Sequence, residues 1–181
     1  MLKMVFSKDF NIRLATLFSI GKIPGGGTWA SLIILLIALY DQSAETVSFI
    51  VFLTLILGPR AYERLVNNSK MEDPKEYVLD EVIGMGISLT GVYIFYSIIG
   101  GFEFNINFLT NIDILFILTF IIFRFFDISK IGLVGWVERN PSLKPYNKVI
   151  GDDIMAAILA ILVVIIFLSV NLWILQWELE L

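Results

Sequence analysis

Residues 154–177 run for 24 positions without a charged side chain. A helix rises about 1.5 Å per residue, so this run is long enough to cross a hydrocarbon core of roughly 30 Å. Residues 82–102 form a second uncharged run of 21. Residues 106–126 would cross as well, provided Asp113 sits near the interface. Two further apolar runs, 23–40 and 46–59, are marginal in length, and the first opens on a glycine-rich loop. The competing fold is a soluble helical protein with a large core. Soluble helices, however, alternate polar and apolar faces, and these runs do not. The chain is 57% hydrophobic, with a mean hydropathy of +0.84, against about 45–50% apolar residues in soluble domains. The expected fold is all-α. It is a single domain over residues 1–181, a polytopic membrane bundle of about five segments. The first two are short enough to form a re-entrant hairpin, which would leave three passes.

The 13 lysines and arginines fall in residues 3–22, 60–75 and 124–148. Cytoplasmic segments of membrane proteins collect these residues. The N-terminus and all three basic stretches are therefore expected on the cytoplasmic side, with the acidic residues 178–181 outside. No cleaved signal peptide is expected, because residues 1–13 are charged and lack a long apolar stretch. The net charge of −4 argues against nucleic acid as a partner. The chain has no cysteine and no histidine. That excludes disulfides, Cys-containing zinc sites, thiolate nucleophiles and phosphohistidine intermediates. Carboxylates, hydroxyls, Lys, Arg and a bound hard cation are left to do any chemistry.

Four polar segments carry candidate residues. In Pro24-Gly25-Gly26-Gly27-Thr28-Trp29-Ala30-Ser31 the glycines precede a helix, whose N-terminal amides favour an anion. Lys22, Gly27, Thr28 and Ser31 are the candidate phosphate contacts. No Gly-Lys-Ser/Thr follows, so this is not a Walker loop. In the second segment Asp73 is placed to cap a helix, with Pro74 at its first position and Glu76 completing a capping box. That helix is expected to carry Asp73, Asp80 and Gly84 on one face and to set Asp80 and Glu81 at the bilayer boundary. Carboxylates there are costly unless paired, hydrated or bound to metal. The third segment spaces Arg124, Asp127 and Lys130 three apart, which is either a surface ion-pair ladder or a phosphate clamp oriented by Asp127. The fourth, Gly151-Asp152-Asp153, puts two acids where one would suffice to cap the last helix.

Together these segments resemble the phosphatidylglycerophosphatase A family of bacterial membrane lipid phosphatases. The family's Asp-Pro-x-x-x-Val-x-Asp-Glu-x-x-Gly is matched by Asp73, Pro74, Val78, Asp80, Glu81 and Gly84. Its Phe-Arg-x-x-Asp-x-x-Lys is matched by Phe123, Arg124, Asp127 and Lys130, and its Gly-Asp-Asp-x-x-Ala by Gly151, Asp152, Asp153 and Ala156. The chain departs from the family at Gly26, usually Pro, at Ala30 and Ala157, usually Gly, and at Ile131 and Leu133, where prolines are usual.

The resemblance implies a Mg²⁺-dependent hydrolase that converts phosphatidylglycerophosphate to phosphatidylglycerol and phosphate in phospholipid biosynthesis. It would act on its lipid at the cytoplasmic face of the bacterial inner membrane. Asp80, Glu81, Asp152 and Asp153 would gather the metal, with Asp73 and Asp127 as ligands or partners. Arg124, Lys130 and the Gly27–Thr28 amides would stabilise the transferring phosphoryl group. Water is the expected nucleophile, with a carboxylate phosphoenzyme through Asp80 or Asp152 as the alternative. Competing functions are a phosphatase for another lipid phosphate, a carboxylate-based transporter with acids deep in its spans, and a non-enzymatic scaffold.

Overall fold

The computed structural model describes residues 8–41, 43–71, 74–100 and 111–179. The expected cap and ligand Asp73, and most of the expected external connection after Gly100, lie outside them. The described residues are helical throughout, with no strand. A short α1 (Lys8–Ala15) leads through a 3-10 turn (Ile20–Lys22) into α2 (Gly26–Asp41). Then follow α3 (Glu45–Ser69), α4 (Leu79–Ile98), α5 (Ile112–Ser129), the short α6 (Leu133–Arg139) and α7 (Pro145–Leu179).

Helix α4 is the central element and packs on α2, α3, α5 and α7. Its glycines let neighbours approach closely, as small residues do between membrane helices. Gly84 lies against Phe123 and Asp153, Gly86 against Val51, and Gly91 against Ile161. These contacts also set direction. Gly27 of α2 meets Glu81, and Gly91 meets Ile161, so α2, α4 and α7 run parallel. The Ser48–Thr90 hydrogen bond (3.0 Å) and the Tyr93–Phe116 ring pair turn α3 and α5 the opposite way. The five long helices thus alternate in direction, and the buried face of α4 (Leu79, Val82, Ile83, Met85, Leu89, Val92) forms the middle of the core.

Three boundaries differ from the sequence expectation. Helix α4 begins at Leu79, not at Pro74, so the expected helical face is continuous only from Asp80 to Gly84. The cause is tertiary. The Val78 amide donates to the Ala15 carbonyl at the end of α1 (3.1 Å), and the buried Tyr77 ring packs edge-on against Tyr62. Helix α3 passes through Pro59 to Ser69, beyond the apolar run 46–59. Helix α7 starts at Pro145, which suits a first helical position because it has no N–H to satisfy. Asp152 and Asp153 are therefore interior residues of α7, two turns in, and not its cap.

Among the described residues, two helices are long and apolar enough to cross a membrane, Leu79–Ile98 and the Pro145–Ile174 part of α7. Helix α2 is apolar but has only 16 residues, and α5 carries Asp113, Arg124 and Asp127. Five crossing segments are thus more than length and composition alone establish. The outer surface is nonetheless markedly apolar: Leu36, Phe49, Phe52, Ile94, Ile121 and Ile166 are all exposed.

Candidate active site

Three long helices deliver acids to one end of the bundle. The first turn of α4 brings Asp80 and Glu81, the last turns of α5 bring Asp127, and α7 brings Asp152 and Asp153. The α5 helix then stops because Lys130 adopts a left-handed conformation (φ 51°). Its ammonium reaches back to Asp152 Oδ2 (2.5 Å) and Glu138 Oε1 (3.1 Å). Burial works against that charge, but the two carboxylates outweigh it and hold the Lys130 pKa above the ordinary lysine value. Lys148 and Asp152 share a face of α7 through their four-residue spacing, as do Val149 and Asp153.

These residues enclose a cavity of about 280 Å³. Its walls carry Asp80, Glu81, Asp127, Glu138, Asp152 and Asp153 on one side of the charge balance and Lys130 and Lys148 on the other. Within it, carboxylate oxygens of Glu81, Asp127 and Asp153 lie within 4.8 Å of one another. Asp127 and Asp153 are buried. Asp153 Oδ1 has no hydrogen-bond partner among the described residues, an expensive state for a buried oxygen. An all-oxygen donor set with an unsatisfied buried carboxylate fits a hard divalent cation, and this trio can hold a metal ion.

Arg124 organises the trio from behind. Its Nη1 pairs with Glu81 Oε2 and with Asp127 Oδ2 (2.7 Å), and its Nη2 donates to Thr28 Oγ1 (3.2 Å). Ser31 Oγ donates to the Gly27 carbonyl (3.0 Å) and lies 3.4 Å from Glu81 Oε2. Arg124 does not line the cavity. Nor do Gly27, Thr28, Ser31 or the exposed Lys22. Of the six expected phosphate contacts, only Lys130 is on the cavity wall.

Asp80 and Asp152 share the cavity as expected. Asp80 accepts the Glu81 amide (2.9 Å), and Asp152 accepts that of Asp153 (3.2 Å). Asp127, expected beside the metal, stands within the closest trio. Glu138 and Lys148 were missed. The i,i+4 spacing of Lys148 and Asp152 could have revealed Lys148 once α7 was known to start at Pro145. No spacing points to Glu138, which the short α6 swings over the cavity.

Beneath the cavity, Tyr62, Tyr77 and Tyr146 form a ring cluster, with centroids 5.4 and 5.2 Å apart. Burial, with Asp80 nearby, pushes the Tyr77 phenol above its usual pKa, so it stays protonated.

Neither a curated protein nor a solved structure matches the chain. A model of one protein family does, and it spans residues 13–168, from the end of α1 to deep within α7. The matched region takes in all four polar segments and every residue of the cavity. The chain belongs to the phosphatidylglycerophosphatase A family and is a phosphatase enzyme.

Proposed function

We propose that the chain is an integral membrane enzyme that removes the terminal phosphate of phosphatidylglycerophosphate with Mg²⁺, at the cytoplasmic face of the bacterial inner membrane, in phospholipid biosynthesis. The observation that carries the cation requirement is the charge balance of the cavity: six carboxyl groups against two lysines. A phosphate dianion does not enter such a cavity unless cations offset the acids. Glu81, Asp127 and Asp153 would hold Mg²⁺, with Asp80 and Asp152 flanking it. The bound ion would supply positive charge against the phosphate oxygens and acidify water.

The chain's own residues do the rest. Lys130 and Lys148 contact the phosphate from the cavity wall. Arg124 holds Glu81 and Asp127 in place. Water is the nucleophile: its oxygen bonds to phosphorus as the ester P–O bond breaks. Its proton passes to Asp80, and the freed glycerol oxygen takes a proton from solvent. With the acids gathered at one end of the bundle and not deep within it, the transporter reading loses its main support.

Aromatic placement supports a membrane setting. Trp29 and Trp136 are exposed at the site end, and Trp173 and Trp177 are exposed near the far end of α7. The 21 residues from Asp153 to Trp173 cover about 30 Å of helix, the thickness of a hydrocarbon core. Interfacial tryptophans at both levels fit five alternating passes.

The deciding measurement is phosphate release from phosphatidylglycerophosphate by the purified protein, with Mg²⁺ and with chelator. Release should require the cation and should exceed release from phosphatidic acid. Equal turnover in chelator would overturn the cation role, and preference for phosphatidic acid would overturn the headgroup. Sidedness is tested by thiol labelling of Lys75→Cys and Lys144→Cys against Ser97→Cys, since no native cysteine interferes. Labelling of all three from one side would break the topology.

A further inference from the structure

We propose that the glycine-rich start of α2 is a seat for the Glu81 carboxylate, and that Gly27 is a positioning residue whose missing side chain makes the seat possible. The proposal rests on Glu81 belonging to the cation site.

A Cβ on residue 27 would fall 2.6 Å from Glu81 Cδ, 3.2 Å from Cγ and closer still to Oε1. The obstacle is therefore the carboxylate itself. Around it, Arg124 pairs with Oε2 from one side and Ser31 Oγ approaches from another. The seat is the first turn of α2, whose positive dipole end favours an anion. The anion-binding property of this loop is thus spent on an internal carboxylate.

Gly27 differs from its neighbours. Gly26 packs on the backbone of Gly21 and Ile20, so its small size serves the chain fold, while Gly25 has open space around it and a left-handed φ of 72°. Of these three glycines, Gly27 alone is small on account of a cavity acid. Glu81 carries one more methylene than Asp127 and Asp153, and that length lets its carboxylate rest on α2 while still facing the other two.

The test uses the full-length protein in detergent, with Mn²⁺ binding read by electron paramagnetic resonance alongside turnover. Gly27→Ala should weaken Mn²⁺ binding by about 10–100-fold, the cost typical of disturbing a group that orients a metal ligand. It should lower kcat with little change in KM for the lipid. Alanine is a better helix former than glycine, so α2 itself gains. In the Gly27→Ala background, Glu81→Asp withdraws the carboxylate by one methylene and should recover Mn²⁺ affinity relative to Gly27→Ala alone. A general folding defect would not be relieved in this way. Wild-type Mn²⁺ affinity in Gly27→Ala, or losses that simply add in the double variant, would overturn the role of Gly27. Absence of Mn²⁺ binding by the wild type would overturn the cation site as well. If Gly27→Ala yields no folded protein, Ser31→Ala removes a contact to Glu81 without adding bulk. It should give a smaller loss in the same direction, and unchanged affinity would overturn the seat.

Discussion

Two pairs of adjacent acids enter the cavity from parallel helices, Asp80–Glu81 on α4 and Asp152–Asp153 on α7. In each, the amide of the second residue donates to the carboxylate of the first. Their cations differ. Arg124, with a side chain 12% exposed, takes the second member of the α4 pair. Lys130, 33% exposed, takes the first member of the α7 pair. Asp80 and Asp153 are paired with neither. One cation is therefore an internal brace with partners on three helices, α2, α4 and α5, and the other is the more exposed of the two and lines the cavity. The unpaired acid of each pair is left for chemistry.

The largest effect should come from those unpaired acids. Asp153→Asn or Asp80→Asn should lower phosphate release by roughly 10²–10³-fold, the scale for removing one preorganised electrostatic group, with expression retained. A greater loss in Asp152→Asn than in Asp153→Asn would break the comparison. Next comes the brace. Arg124→Lys keeps the charge but not the planar fork that serves Glu81, Asp127 and Thr28 together. Turnover should fall by about 10–100-fold, chiefly in kcat, and thermal unfolding should move to lower temperature. Lys130→Gln should act instead on kcat/KM, losing about 1.5–3 kcal/mol of charged hydrogen bonding, mainly through KM. The smallest change belongs to Glu138→Gln. Its pair with Lys130 is solvent-exposed and contributes about 0–1 kcal/mol to stability. Freed from Glu138, Lys130 should lower KM for the lipid in steady-state assays. A rise in KM would show that Glu138 helps the phosphate enter.

Much of the site was legible because its chemistry needs charges where a membrane helix otherwise excludes them. Asp80, Glu81, Asp127, Asp152 and Asp153 stand out against apolar sequence for that reason. The boundaries were less legible, since they depend on contacts between distant segments. Asp73–Pro74 has the local marks of a helix start, but the bond from Val78 to Ala15 decides where α4 begins. Asp152 reads as a cap only while Pro145 is taken for a loop residue. The work of Arg124 was hidden similarly. Its spacing to Asp127 is visible, but that Glu81 and Thr28 also claim it emerges only when α2, α4 and α5 meet. Glycines at the start of α2 announced an anion without saying that the anion is part of the chain.

The parallel arrangement of α4 and α7 has a consequence for biosynthesis. A nascent chain made as far as Lys130 already holds Glu81 and Asp127, together with the arginine that pairs with both. It lacks Asp153, Lys148 and the whole far wall. On the proposed cation site, the last of the three close carboxylates arrives only with α7, so a product that ends before Asp153 would lack it.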